Sequence, residues 1–322
     1  MAKLFFLPAF AATLQPPLQT MRNPEFTLIA AERLDQAMIE QRISVQVLER
    51  LRGDAAVPDE IELLILDRDD AYILPGQPYL LVYSDVQRVP GKPRTLVRNP
   101  DRRVLLHIDG ADPAVFPDTA RNRELLSISH HELETSDNYI ETLIGGLALG
   151  SPPEVDLWSA ELAIRPAFFE QLGPDDLEVV RNVANNPQMR PASRARLLLA
   201  ALDASPNLGV HWYAASAQAI LKQTSTQLEL AMPGMDHLIY TALLIAQTEP
   251  DPQGRVAVQK WLQSTPPLAE NAALALRAID PAFEVEAVTL AIEHKGTPEV
   301  TRQMLKDYLR RLKRMRLSSP NA

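Results

Sequence analysis

Cysteine is absent from the 322 residues of the chain. That omission excludes disulfide staples, thiolate nucleophiles and thiolate zinc sites, and it is compatible with either the cytosol or a periplasm. Glycine is scarce, at 12 residues against 27 prolines, which favours many short elements with stiff joints over floppy linkers. Aromatic residues make up only 6%, so their clustering carries information. Cations are the minority charge: 32 Lys and Arg face 41 Asp and Glu, a net charge of −9. This balance disfavours general nucleic-acid binding, because phosphate contacts need surplus cations. No apolar run approaches the roughly 20 residues needed to span a bilayer. What remains, 46% hydrophobic and 23% charged residues, is the composition of an ordinary globular chain long enough for two or more domains.

The period of the apolar pattern changes near the middle. Up to about Gly110 it alternates as strands do; after about Ser136 it recurs at helical spacing in short segments punctuated by proline. Strands are expected at Phe26 to Ala31, Ile43 to Val47, Ile61 to Leu66, Tyr79 to Tyr83 and Val104 to Ile108. The stretch Leu74-Pro75-Gly76-Gln77 carries Pro and Gly at the two central positions of a type II turn, which requires positive φ at the second. Five short strands with few helices between them predict a small antiparallel barrel or sandwich, since parallel pairing needs longer crossovers.

The run from Val45-Gln46-Val47-Leu48 to Arg52-Gly53-Asp54, then the Ile61 to Leu66 strand, then Pro75-Gly76 and Tyr79-Leu80-Leu81-Val82-Tyr83, resembles small OB-like or netrin-like barrels of exported bacterial proteins. The resemblance covers about 60 residues. It implies a fold and an exported location, and it is nearly silent on activity.

In the second half, helices are expected from Pro174, from Pro191, and over Trp212 to Lys222, Asp236 to Gln247, Val256 to Leu262, Leu268 to Ile279, Phe283 to His294 and Pro298 to Arg316. Proline in a first turn costs nothing, because its missing N–H would lack a partner there anyway. Such short helices must bury their apolar stripes on neighbours. Paired, they recur in the range of HEAT-like arrays, with a compact helical bundle as the other packing. A lead-in helix is expected from Asp137 to Gly150. The expected fold is thus α+β: a strand domain over 13–115, a linker over 116–135 and a helical-repeat domain over 136–322.

Residues 1–12 have the outline of a signal peptide: Lys3, an apolar stretch from Leu4 to Phe10, and the small-x-small Ala9-Phe10-Ala11. A buried first strand is the other reading of the same residues. Export places the protein in the periplasm; without it the chain is a cytoplasmic adaptor.

Chemistry is sparsely signalled. His130, His131 and Glu134 form the densest polar group, and His130 with Glu134 could share a helix face. Neither zinc-protease order of His and Glu occurs, however, and no nucleophile elbow, Walker or dinucleotide fingerprint is present. Asp67-Arg68-Asp69-Asp70 lacks the glycine and terminal Glu of a calcium loop, so a solvated turn is the simpler reading. No catalytic, cofactor-binding or metal-binding residue is therefore assigned, and a hydrolase using the His/Glu segment is the rival to a binding protein. Two basic stretches stand out. Arg88 to Arg103 lies in a Pro-rich hairpin or edge strand. Arg302 to Arg316 opposes Leu305, Tyr308, Leu309, Leu312 and Met315 on an amphipathic last helix, suited to closing the array or to contacting a membrane surface or an acidic partner. Trp212, Tyr213 and Trp261, with Arg310, Arg311 and Arg314, are the candidate partner-contacting residues, core packing being the other and more frequent role of such aromatics. The expected function is a non-catalytic protein-binding or assembly component of the bacterial cell envelope, its protein partner unidentified.

Overall fold

A computed structural model describes residues 17–53, 57–89, 92–108, 113–127, 137–209, 211–228 and 232–318. The leader at 1–12 and the His130, His131, Glu134 segment lie outside these residues, as do the side chains of Arg88, Lys92 and Arg94. The architecture is α+β, a strand-rich region followed by a helical one. Contacts divide the chain into two compact units, 1–168 and 169–322.

In the first unit, a short helix α1 (Pro17–Met21) precedes strands β1 (Thr27–Arg33), β2 (Arg42–Arg52), β3 (Glu60–Leu64) and β4 (Pro78–Ser84). A β5 (Val86–Val89) and β6 (Lys92–Arg98) hairpin and two brief strands, β7 (Val104–Leu105) and β8 (Val115–Pro117), complete the sheets. β1 pairs antiparallel with both β2 and β4, and β2 pairs with β3. β7 sits parallel to β3 and antiparallel to β4, while β8 also joins β4. The pairings therefore run β1-β2-β3-β7-β4 and return to β1. β2 alternates as its sequence does, burying Ile43, Val45 and Val47, because successive side chains point to opposite faces. β1 does not alternate. Thr27 through Ala31 are all buried, which matches an unbroken apolar run covered on both faces. Ile29, Ile43, Val45, Ile61, Leu63, Leu81 and Tyr83 belong to one core cluster. The expected turn is present: Gly76 has φ 75°.

The strands share this unit with helices α2 (Ala120–Ser127), α3 (Asp137–Leu149) and α4 (Pro152–Ala163); a single turn, α5 (Pro166–Phe169), spans the division. The compact strand unit thus reaches well past the change of period, because α4 is buried along its whole middle, from Val155 to Leu162. Its start is a capping box, in which the Glu154 carboxylate accepts from the Ser151 N–H and hydroxyl at 2.9 and 2.7 Å. Within α4, Glu161 is fully buried. One carboxylate oxygen accepts from the Tyr139 hydroxyl at 3.1 Å and from Arg165 Nε and Nη2 at 2.9 and 2.7 Å, and the other accepts the Leu18 N–H at 3.1 Å. One side chain joins α1, α3 and α4.

In the second unit, helices are α6 (Pro174–Asn185), α7 (Pro191–Leu208), α8 (Trp212–Gln223), α9 (Met235–Thr248), α10 (Arg255–Gln259), α11 (Pro266–Ile279), α12 (Pro281–Glu293) and α13 (Glu299–Ser318). Proline stands in the first turn of α6 and α7, as expected, and also of α11 and α12, which begin two residues before the expected Leu268 and Phe283. Helix α7 ends at Gly209 with φ 63°, the left-handed cap that glycine adopts without strain. α9 packs against α7, α8 and α11 through a broad buried face, Leu238, Ile239, Thr241, Ala242, Leu243, Ile245 and Ala246, and leaves Asp236, His237, Tyr240 and Thr248 exposed. A wide apolar stripe of this kind needs several neighbours to cover it. Among α11, α12 and α13 a second buried glutamate recurs. One oxygen of Glu284 accepts from Arg277 Nε and Nη2 at 3.1 and 3.0 Å and from the Tyr308 hydroxyl; the other oxygen is buried and takes no hydrogen bond.

Candidate binding groove

An open groove of about 300 Å³ lies in the helical unit, lined by Gln259, Gln263, Ala287, Leu290, Ala291, Glu293 and His294. One wall is α10 with the 3₁₀ turn Lys260–Gln263 that continues it; the other is α12. The first wall is held from behind. Trp261, fully buried, donates its indole N–H to the Leu221 carbonyl at 3.1 Å. Lys260 Nζ donates to the Lys222 and Thr224 carbonyls at 2.8 and 2.7 Å at the end of α8, a position favoured by the helix dipole; burial lowers its pKa. Gly254 precedes α10, and a Cβ there would meet the Gln218 amide at 3.2 Å.

The second wall starts from an N-cap. Asp280 accepts the N–H groups of Ala282 and Phe283, each at 3.1 Å, which together with Arg255 holds its carboxyl below the ordinary range. Arg255 links the walls: its guanidinium lies 3.2 Å from the Asp280 carboxylate and 4.4 Å from the centre of the Phe283 ring. At the other end, the Thr297 hydroxyl donates to the Ala291 carbonyl at 2.6 Å, and His294 Nδ1 accepts the Gly296 N–H at 3.1 Å. The floor is made by small residues, Ala287 and Ala291, both buried.

The rim mixes characters: Leu290 is 50% exposed, and Val256, 72% exposed, stands about one helical turn before Gln259 on α10. Gln259, Gln263, Glu293 and His294 add hydrogen-bonding groups around Leu290. The arrangement suits an apolar side chain set between polar contacts on a docking segment.

The residues singled out in the sequence go to different places. Tyr213 and Trp261 are fully buried; the Tyr213 hydroxyl donates to Glu249 at 3.2 Å, and burial raises its pKa. Trp212 is half-buried, with an indole N–H that is buried and has no partner among the described residues. The Trp212 ring lies 6.5 Å from that of Tyr213. Trp261 instead bonds the far end of α8, nine residues or about 13 Å along the helix. Arg310, Arg311 and Arg314 are exposed on α13. Arg310 pairs with Asp307 at 2.9 Å and Arg311 with Glu270 at 2.7 Å. Asp67 to Asp70 is a 3₁₀ turn rather than a solvated hairpin. Asp69 is buried, accepting the Leu66 N–H at 3.0 Å and facing His107 Nε2 at 2.8 Å, and Asp70 lies 2.7 Å from Arg33. Among the described residues no group of three His, Asp or Glu could hold a metal ion, and no helix is long and apolar enough to cross a membrane.

Sequence reasoning missed the groove. Val256 and Leu290 were apolar residues in expected helices, and a single sequence offers no sign that such residues stay outside the core. Comparison with known protein families, curated proteins and solved structures finds no match.

Proposed function

We propose that the chain is a non-catalytic binding or assembly component of the bacterial cell envelope, whose helical unit holds a segment of a partner protein in the groove between α10 and α12. The observation that carries this reading is the half-exposed Leu290 over an alanine floor, set among hydrogen-bonding side chains and stiffened by Arg255 and Trp261. Exposed large apolar side chains bordered by hydrogen-bonding groups mark interaction sites more often than isolated surface leucines do. In the same reading the returning strand pairings close a small barrel and the helix pairs form a HEAT-like array. The periplasmic location rests on the apolar leader and on the resemblance of the strand region to exported barrels.

The test is affinity capture from the periplasmic fraction, comparing the wild type with Leu290→Asp. The side chain is half exposed, so the variant keeps the fold. A central apolar anchor contributes at least about 2 kcal/mol, so the variant is expected to bind a stoichiometric partner about thirtyfold more weakly. Equal recovery of the same proteins by both forms would rule out the groove. N-terminal sequencing of the mature protein checks export, and an uncut, cytosolic chain defeats the envelope assignment.

A further inference from the structure

The last helix carries a second surface, separate from the groove. Between residues 306 and 314, Lys306, Arg310, Arg311, Lys313 and Arg314 face a single acid, Asp307, a net charge of +4 within a chain of net −9. At about 100° per residue, Lys306, Arg310, Lys313 and Arg314 fall within roughly 100° of one another on the helix, along about 12 Å of its length. The opposite side is spent on the unit's interior: Leu305 is fully buried and Tyr308 and Leu312 nearly so. Thr301 holds the helix in place by donating to the Ser264 carbonyl at 2.7 Å. Two of the four cations, Lys306 and Lys313, have no ion pair or hydrogen bond among the described residues, and Lys313 is exposed.

We infer that this cationic face of α13 docks the protein on an anionic lipid surface. Charge complementarity requires a negative partner, and the composition of the face selects the kind. Protein interfaces are centred on aromatic or apolar anchors and are poor in lysine, whereas no large apolar side chain is exposed among residues 306–314. A plane of lipid phosphates needs no anchor, only cations within reach of its surface potential. Glu270 pairs with Arg311, which lies off this face, and Asp307 with Arg310, leaving Lys306 and Lys313 to set its charge; at physiological ionic strength charges more than about 8 Å away are largely screened. With its apolar side buried, the helix does not insert, so binding is electrostatic, reversible and sensitive to salt.

The experiment is co-sedimentation of the full-length protein with phosphatidylcholine vesicles, with and without phosphatidylglycerol. Binding is expected only when the anionic lipid is present and is expected to vanish as salt rises toward about 1 M, where the screening length falls to about 3 Å. Each neutralised cation is expected to weaken partitioning about fivefold, so Lys306→Ala with Lys313→Ala lowers it about 25-fold. Arginine at both positions is expected to restore it. Equal sedimentation with neutral vesicles, no sedimentation with anionic ones, or a double-alanine variant as effective as the wild type would each overturn the inference. So would tight binding to poly-glutamate with none to vesicles, which would assign the face to an acidic protein. The salt titration uses the unaltered chain and stands even if the variants fold poorly.

Discussion

The two buried glutamates have the same chemical neighbours, a tyrosine hydroxyl and an arginine fork, yet replacing each by glutamine is expected to have unequal consequences. At Glu284 one oxygen takes every hydrogen bond and the other takes none. A glutamine can place its carbonyl on the occupied side and its amide nitrogen on the empty side, which keeps every donor paired at the cost of charge assistance and of a buried NH₂ that lacks an acceptor among the described residues. At Glu161 both oxygens are used, and the second accepts the Leu18 N–H. Either orientation of a glutamine sets its NH₂ against a donor, so besides the amide itself, as at Glu284, a second buried donor such as the Leu18 N–H loses its acceptor. An unsatisfied buried group costs about 1–3 kcal/mol, while the loss of charge assistance is common to both sites and largely cancels in the comparison. Glu161→Gln should therefore destabilise its own unit by about 2 kcal/mol more than Glu284→Gln destabilises the other. With a urea dependence of about 1–3 kcal/mol per molar, the midpoint moves about 1 M further. Pulsed hydrogen exchange across a urea series, read by mass spectrometry, follows each unit through its own peptides. Equal shifts, or a larger one at Glu284, would refute the assignment of the Leu18 contact as the distinguishing interaction.

Two further outcomes follow from packing and charge. Gly145 and Gly146 are adjacent in α3, but a Cβ on Gly146 would sit 2.3 Å from the Trp158 ring whereas one on Gly145 meets nothing within 4 Å. Thermal melts should show Gly146→Ala losing about 1–3 kcal/mol or more to overpacking, and Gly145→Ala gaining up to about 1 kcal/mol of helix propensity; the reverse order would contradict the packing of α3 on α4. Burial, then the nearby carboxylates of Glu161 and Glu284, raise the pKa of Tyr139 and Tyr308. A raised tyrosine favours the folded state fully below its unfolded pKa of about 10, and that contribution is lost as pH climbs toward the folded value. Absorbance at 295 nm should show these two tyrosines ionising only as the protein unfolds in alkali; reversible ionisation of both near pH 10 in the native state would disprove it.

Much of the architecture was legible because period and punctuation agree. Alternation at Ile43, Val45 and Val47, proline at positions 174 and 191, and helical spacing from Leu268 and Phe283 place strands and helices within a few residues of where they form. Helix α4 was not anticipated, although Ser151-Pro152-Pro153-Glu154 carries both of its start signals; a helix buried on all sides has no polar stripe to reveal its period. The five-stranded expectation lacked β8 and treated the β5–β6 hairpin as a loop or edge: β5 and β8, of four and three residues, are too short for alternation to register, and β6 is rich in basic residues with one proline. The site was the least legible part. By residue type Trp261 and Tyr213 suit either core packing or a partner contact, and they lie in the interior, whereas the groove depends on which side of α12 its neighbours leave uncovered, a property of packing that no local pattern encodes.

The Leu18 to Glu161 bond also bears on how the chain is made. Its partners are 143 residues apart in sequence, and at about 5–20 residues per second the ribosome takes on the order of ten to thirty seconds to pass from one to the other. Throughout that interval the acceptor for α1 does not exist, and β1 waits for β4 as well as β2. The first half of the polypeptide therefore emerges before the residues that complete its pairing and cover its apolar strands have been made, the interval in which exposed strand edges are open to wrong partners.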